Sequence, residues 1–166
     1  MKKKLLSILL TAAMATTVVS GTALIVNADS EGDLSGKTFA IVIRNSGNPY
    51  AEKEADGFKQ VIEAAGGECI IKSPEKATAD AQIPLIQSLI SQEVDAIAIA
   101  SNDVNALTAC LQDAMDEGIK VLSLDSNVVP EARQTFVNQA GVTEIGQALA
   151  DAVYDISGGS GEFAIL

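Results

Sequence analysis

Polar side chains follow four of the apolar segments in this 166-residue chain, at the points where the segments end. They combine amides, hydroxyls, a guanidinium and a carboxylate. Such a set suits a neutral polyol, because carboxylates accept hydroxyl protons, Arg donates and amides do both. An aromatic ring among them offers an apolar face to the C–H side of a sugar. The predicted ligand-binding residues are Arg44, Asn48, Tyr50, Asn102, Asp125, Ser126, Asn127, Asn138 and Gln139.

Helix capping is the alternative explanation for some of these positions, because Asn, Asp and Ser are also favoured at helix starts. Capping fits Asn48 and either Asn102 or Asp103. It does not fit an arginine, a tyrosine, a glutamine, or an aspartate that closes an apolar strand, as Asp125 does. The sequence therefore predicts a binding site shared by several segments.

Composition excludes or disfavours several other kinds of chemistry. The chain contains no His, which removes Ser–His and Cys–His dyads and His-ligated metal sites. A net charge of −11 disfavours a nucleic-acid partner, since phosphates require Lys and Arg. No G-x-x-x-x-G-K segment is present. Asp125 is the one acid expected deep in the site, and it lacks a partner to tune it as a general base. We expect no catalytic residue, no metal and no cofactor.

Apolar runs that alternate with amphipathic stretches predict the elements that position these side chains. The strands are continuous apolar runs, which is typical of a parallel sheet covered on both faces. Their alternation with helices predicts an α/β fold, a doubly wound three-layer αβα sandwich with a mostly parallel sheet. Ligands bind such sheets beyond the carboxyl ends of the strands. The predicted strands are 39–43, 69–71, 96–100, 121–124 and 135–137.

Four helices are predicted between and after these strands. Capping signals begin the first one, with Asn48 as N-cap, Pro49 at the first helical position and Gly66 as a stop. The second helix is expected to begin at about Ile83, because Pro84 disrupts the interior of a longer helix. The predicted helices are 50–65, 83–91, 107–118 and 145–156.

Residues 1–28 are predicted to be a secretory signal peptide rather than part of the fold. Three lysines precede a long apolar run, and small residues at 26 and 28 suit a peptidase. A retained membrane anchor is the alternative. A lipobox-like segment has Thr22 where Cys is needed, so we expect an exported protein without a lipid. Removal of residues 1–28 leaves eight basic and 22 acidic residues, a net charge of −14.

Residues 29–157 are predicted to form one α/β lobe, and residues 158–166 to leave it. A glycine-rich connector at 157–161 precedes another apolar run. That run either adds to the edge of the sheet or opens a second lobe. The second is favoured, because an uncovered apolar strand at a sheet edge promotes aggregation. Cys69 and Cys110 are predicted to be buried free thiols, with a disulfide as the alternative.

Four segments together resemble the sugar-binding proteins of bacterial ABC importers, of the ribose, rhamnose and autoinducer-2 type. They are FAIVIRNSGNPY (39–50), VDAIAIASND (94–103), AMDEGIKVLSLDS (114–126) and FVNQA (136–140). The arginine and FVNQ segments look most like the rhamnose and autoinducer-2 branch. In that family two α/β lobes close over a monosaccharide, so the resemblance implies that this chain is the N-terminal lobe.

The resemblance also implies roles for particular residues. Arg44 and Asp125 would contact ligand hydroxyls, and Asn48 with Tyr50 matches the N-P-aromatic segment that lines the ribose-type cleft. Ser126 stands where the ribose type has Arg, which makes ribose a less expected ligand. Ala51 replaces a commonly aromatic neighbour, so ring stacking from this lobe would depend on Tyr50.

The leading interpretation is an exported solute-binding protein that captures a small neutral sugar for the membrane permease of an ABC importer. A sugar- or autoinducer-2-sensing module that signals to a membrane receptor is the first alternative. An enzyme of the doubly wound class is the second, and the missing catalytic partners disfavour it.

Overall fold

The predicted strands form one five-stranded sheet in the computed structural model, which describes residues 32–162 and 164. The order is β2-β1-β3-β4-β5, and every neighbouring pair is parallel. The strands are β1 (Thr38–Val42), β2 (Glu68–Lys72), β3 (Ala96–Ile99), β4 (Lys120–Leu124) and β5 (Thr135–Val137). The helices are α1 (Pro49–Ala64), α2 (Ala79–Ser91), α3 (Thr108–Asp116) and α4 (Val142–Ser157), with a short 3₁₀ turn at Pro130–Ala132.

Both faces of the sheet bury apolar side chains, as the continuous apolar runs predict. Successive strand residues point to opposite faces. Ala40 and Val42 pack in a cluster with residues of α2 and α3, whereas Ile41 and Ile43 pack in a second cluster with residues of α1. The predicted three-layer α/β arrangement is confirmed, and its parallel strands end together at one edge.

The start of α1 follows the predicted capping signals. Asn48 has an extended backbone, and its Oδ1 accepts hydrogen bonds from the backbone N–H groups of Tyr50 (3.0 Å) and Ala51 (3.4 Å). Pro49 occupies the first helical position, where its missing N–H is not needed. Past the helix end, Gly66 adopts a positive φ of 86°, which ends the helix at low cost.

The predicted start of α2 is wrong. The helix begins at Ala79, one turn before Pro84, because the Thr78 hydroxyl caps it by accepting from the Ala81 N–H at 3.3 Å. Pro84 lies inside the helix on its exposed side. The cap and the burial of Ala79 and Gln82 outweigh the one hydrogen bond that Pro84 does not donate. The extra turn is what brings Gln82 into the protein interior.

Helix α4 forms where the apolar periodicity predicts it, but none of its residues is buried. Its apolar face is exposed, including Ile145 (49%), Leu149 (63%) and Ile156 (88%). The covering of the sheet therefore comes from α1, α2 and α3. The lobe boundary at residue 157 stays a prediction.

The two cysteines are free. Cys110 is buried, as predicted, but Cys69 is only half-buried, because it lies on β2 at the edge of the sheet. The predicted signal peptide (1–28) and most of the predicted terminal strand lie outside the described residues. Among the residues that are described, no helix is long and apolar enough to cross a membrane.

Candidate functional site

Three of the predicted site residues form a hydrogen-bonded group at the carboxyl edge of the sheet. Arg44 follows β1, and its Nε donates to Asn102 Oδ1 at 3.2 Å. Its Nη1 donates to Ser126 Oγ at 3.0 Å. Asn102 returns a hydrogen bond from its Nδ2 to the Arg44 carbonyl at 2.7 Å. The segments after β1, β3 and β4 are thus joined by side chains, as the sequence predicts.

Gln82, which was not predicted, supports this group from the protein interior by bonding to the backbone beside it. Gln82 is completely buried, and its Nε2 donates to the carbonyls of Ile43 (3.2 Å) and Ala100 (2.8 Å). Its Oε1 accepts from the Asn102 N–H at 2.9 Å. One side chain therefore satisfies three backbone groups at the ends of β1 and β3. Its signal in the sequence is a polar residue within the apolar stripe of a helix.

Asp125 adopts an unusual backbone conformation directly after β4. Its φ is +56°, in the left-handed region that Asp and Asn tolerate better than most residues. Ser126 Oγ donates to Asp125 Oδ2 at 3.1 Å while it accepts from Arg44. The serine hydroxyl thus bridges the arginine and the carboxylate: it accepts a hydrogen bond from Arg44 and donates one to Asp125.

Asn127 is held mainly by its neighbours. Its Oδ1 accepts from Ser123 Oγ (2.9 Å), from the Val128 N–H (2.9 Å) and from Arg133 Nε (2.8 Å). A carbonyl oxygen with three donors has no capacity left for a ligand. Only the Asn127 amide nitrogen is therefore a candidate for ligand contact.

Tyr50 and Gln139 come together from distant parts of the chain. Gln139 Nε2 donates to Tyr50 Oη at 2.8 Å and to Glu54 Oε1 at 2.9 Å. Glu54 was not predicted. It lies one turn after Tyr50 on α1, where a polar helix position gives no sequence signal. Burial, followed by the nearby negative charge of Asp125, raises the pKa of Glu54 above its usual value, while the Gln139 hydrogen bond lowers it.

Five of the predicted residues line a cleft of about 510 Å³ beside this edge. Apolar residues from β5 and the start of α4, among them Phe136 and Ile145, complete its wall. Partial burial, followed by the charges of Glu54 and Asp125, raises the pKa of Tyr50, while the Gln139 hydrogen bond lowers it. The predicted residues in the cleft are Tyr50, Asp125, Asn127, Asn138 and Gln139.

The remaining predicted position has a structural role. Asn48 belongs neither to the cleft lining nor to the Arg44 group, and its Oδ1 is the N-cap of α1. The predicted capping by Asn102 or Asp103 is wrong for α3, because the N-cap position of that helix is Leu107, which makes no side-chain cap hydrogen bond. Asp103 Oδ1 instead accepts from the N–H groups of Asn105 and Ala106, both at 2.8 Å, in the turn before α3, and the Asn102 side chain bonds to Arg44.

A second recess, of about 1050 Å³, lies at the opposite edge of the sheet. Its lining includes Phe39, Phe58 and Leu122 from the face that α1 covers, together with residues at the beginnings of strands. The predicted polar residues are not among its lining. We place the candidate site at the smaller cleft, because hydroxyls, amides and a carboxylate converge there. Within the described residues, no cluster of three or more potential metal ligands is found.

Comparison with known proteins identifies the family of this lobe. A profile of the periplasmic binding protein domain matches residues 39–166. The chain belongs to the periplasmic binding protein family. A curated member of similar sequence is a D-ribose/D-allose-binding protein from Pseudomonas aeruginosa, 28% identical over 121 residues, which cover 68% of this chain and 35% of that protein.

Solved periplasmic binding proteins have the same fold. An ABC transporter solute-binding protein from Clostridium phytofermentas with bound L-rhamnose is 57% identical, with a TM-score of 0.72 over 75% of this chain and 39% of that one. LsrB from Clostridium saccharobutylicum in complex with AI-2 is 28% identical, with a TM-score of 0.67 over 71% and 36%. The chain thus spans well under half the length of these relatives. Both the Pseudomonas and the Clostridium phytofermentas relatives are named as binding proteins and not as enzymes.

Proposed function

We propose that this chain is the N-terminal lobe of an exported solute-binding protein that delivers a small sugar to an ABC-type permease. The observation that carries the proposal is the convergence of Arg44, Asn102, Asp125 and Gln139 from four segments at one edge of the sheet. Membership in the periplasmic binding protein family supports the same role.

The proposed ligand is L-rhamnose or a closely related neutral monosaccharide. The relative with bound L-rhamnose is 57% identical, whereas the D-ribose/D-allose-binding relative is 28% identical. The cleft combines an acceptor, Asp125, with the ring of Tyr50, which is 55% exposed. A ring face and a carboxylate suit a sugar that has both C–H and O–H surfaces. Arg44 acts on this ligand directly or through Ser126 and Asp125.

We also propose that residues 1–28 direct export and are removed. The location outside the cytoplasm is consistent with the family. The absence of Cys at position 22 predicts a mature protein without an attached lipid. Mass spectrometry of protein from its host should give an N-terminus at Asp29, and a retained N-terminus or a lipid mass would contradict this proposal.

Isothermal titration calorimetry of the full-length protein, that is, this lobe together with its proposed second lobe, with L-rhamnose, D-ribose and D-allose tests the function. We expect L-rhamnose to bind most tightly. Asp125→Asn should weaken its binding at least about 100-fold, because two hydrogen bonds to a charged group contribute about 1.5–3 kcal/mol each. Asparagine is the appropriate substitution, since it tolerates the positive φ.

Asp56→Asn is the matched control, because Asp56 is an exposed carboxylate on α1 outside the cleft lining. It should bind like the unchanged protein. Equal affinity of Asp125→Asn and Asp56→Asn would remove Asp125 from the site. Turnover of any of the three sugars would contradict the binding-protein assignment itself.

A further inference from the structure

The Gln139 side chain uses both of its N–H groups within the protein. Its Nε2 donates to Tyr50 Oη (2.8 Å) and to Glu54 Oε1 (2.9 Å). A primary amide has two N–H donors, so its nitrogen has none left for a ligand. The carbonyl Oε1 accepts no hydrogen bond from the residues that the structure describes, and Gln139 lines the cleft.

Glu54 determines which end of this amide faces α1. A tyrosine hydroxyl both donates and accepts, so Tyr50 alone would satisfy the Gln139 amide in either orientation. An ionised carboxylate only accepts, so Glu54 selects the NH₂ end. Its Oε2 is buried and has no partner among the described residues. A reversed amide would therefore set a carbonyl oxygen against a half-buried carboxylate that already has an unsatisfied oxygen.

We propose that Glu54 is a positioning residue that fixes the Gln139 amide with its carbonyl oxygen available to the ligand. Gln139 is then an acceptor for a ligand hydroxyl, and the Tyr50 O–H, which already accepts from Gln139, is left as a donor. Together with Asp125, this gives the cleft a defined pattern of two acceptors and one donor. The part that concerns the ligand rests on the proposed sugar-binding function.

The orientation can be tested without any sugar. In the full-length protein, the side-chain ¹⁵NH₂ resonances of Gln139 are assigned by their loss in Gln139→Ala. We expect these resonances to move in Glu54→Leu and to stay in place in Asp56→Leu, the control on the same helix. Unmoved resonances in a folded Glu54→Leu protein would show that Glu54 does not hold the amide, and would overturn the proposal.

An exchange of the two side chains tests the consequence for binding, with L-rhamnose as the sugar. Gln139→Glu alone sets two carboxylates against each other, and we expect it to weaken binding about tenfold or more. The double variant Glu54→Gln/Gln139→Glu restores a donor opposite an acceptor, keeps the net charge and still presents an acceptor to the ligand. We expect it to bind within about threefold of the unchanged protein. Asp56→Asn/Gln139→Glu is the charge-matched control and should stay weak.

Recovery in the exchanged variant but not in the control would support the proposal. No loss in Gln139→Glu, or equal recovery in both double variants, would overturn it. If the unchanged protein does not bind L-rhamnose, the proposed ligand is wrong, and the amide resonances still decide whether Glu54 orients Gln139.

Discussion

Asp125 combines a position in the cleft lining with a backbone conformation that few residues adopt. The chain must turn sharply after β4, and a φ of +56° at Asp125 makes that turn. Left-handed conformations cost most side chains about 1 kcal/mol, whereas glycine adopts them freely. The presence of an aspartate at such a position is therefore better explained by its carboxylate than by its backbone.

This separation of roles predicts a difference between two substitutions. Asp125→Gly should be more stable than Asp125→Ala by about 1 kcal/mol, because glycine relieves the strain that alanine keeps. At Asp113, an exposed position within α3, the order should reverse by a similar amount, since glycine disfavours a helix. Urea unfolding of the four variants measures the free energies. The same order at both positions would contradict the account of Asp125.

The two thiols differ in burial, and this predicts different reactivity. Burial raises the pKa of both, while the charge of Lys59 counteracts the shift at Cys69. Cys110 is buried, and its Sγ donates to the Leu107 carbonyl at 3.2 Å. At pH 8, iodoacetamide should modify Cys69 at least about tenfold faster, because the thiolate must be both formed and reached. Peptide mass spectrometry over time measures the rates. Equal rates would show that local opening exposes Cys110 freely.

At the scale of single residues, the sequence predicts candidate site residues that directly follow strands better than those that lie within helices. Arg44, Asn102 and Asp125 are predicted because the carboxyl ends of parallel strands meet at one edge. Glu54 was missed, because a glutamate in a polar helix position is the usual solvent-exposed residue. Only the return of the chain after β5, which carries Gln139 to α1, makes it part of the site.

At the scale of the elements, α2 supports the candidate site from a distant part of the sequence, because its Gln82 bonds to the backbone at the ends of β1 and β3. Its first turn exists because Thr78 caps it, and that turn places Gln82 beneath the ends of β1 and β3. The periodicity predicts the apolar stripe of this helix but not its start, because Pro84 indicates a start near Ile83 whereas Thr78 caps the helix before Ala79. The error mattered, because it left outside the helix the residue that positions the Asn102 backbone.

Gln82→Leu should therefore destabilise the fold and disturb the site together. It leaves three buried backbone groups without partners, and each costs about 1–3 kcal/mol. We expect a loss of at least about 2 kcal/mol in the free energy of unfolding. Gln87→Leu, an exposed position on the same helix, should change it by no more than about 0.5 kcal/mol. Chemical denaturation compares them. Equal stability would show that water replaces the Gln82 amide.

At the scale of the whole molecule, both the site and the apolar face of α4 lie open at the surface of this chain. The apolar face of α4 is uncovered, Tyr50 and Gln139 of the cleft are exposed, and so is Arg44 at the same edge of the sheet. Periodicity predicts such a helix but cannot say what it packs against. The relatives are more than twice as long as the segment that matches them. A second lobe facing this cleft is consistent with all three observations.

Residues 29–166 alone should therefore bind L-rhamnose weakly. The sugar would remain hydrated on the side away from Asp125, and water would compete for each hydrogen bond. Each missing hydrogen bond removes about 0.5–1.5 kcal/mol, so four or five of them weaken binding by several powers of ten. The comparison is a chimera in which the remainder of the Clostridium phytofermentas protein follows the matched segment. Calorimetric titration of both polypeptides with L-rhamnose measures the difference. Equal micromolar affinity would show that this lobe holds the complete site, and the second lobe would then contribute no binding energy.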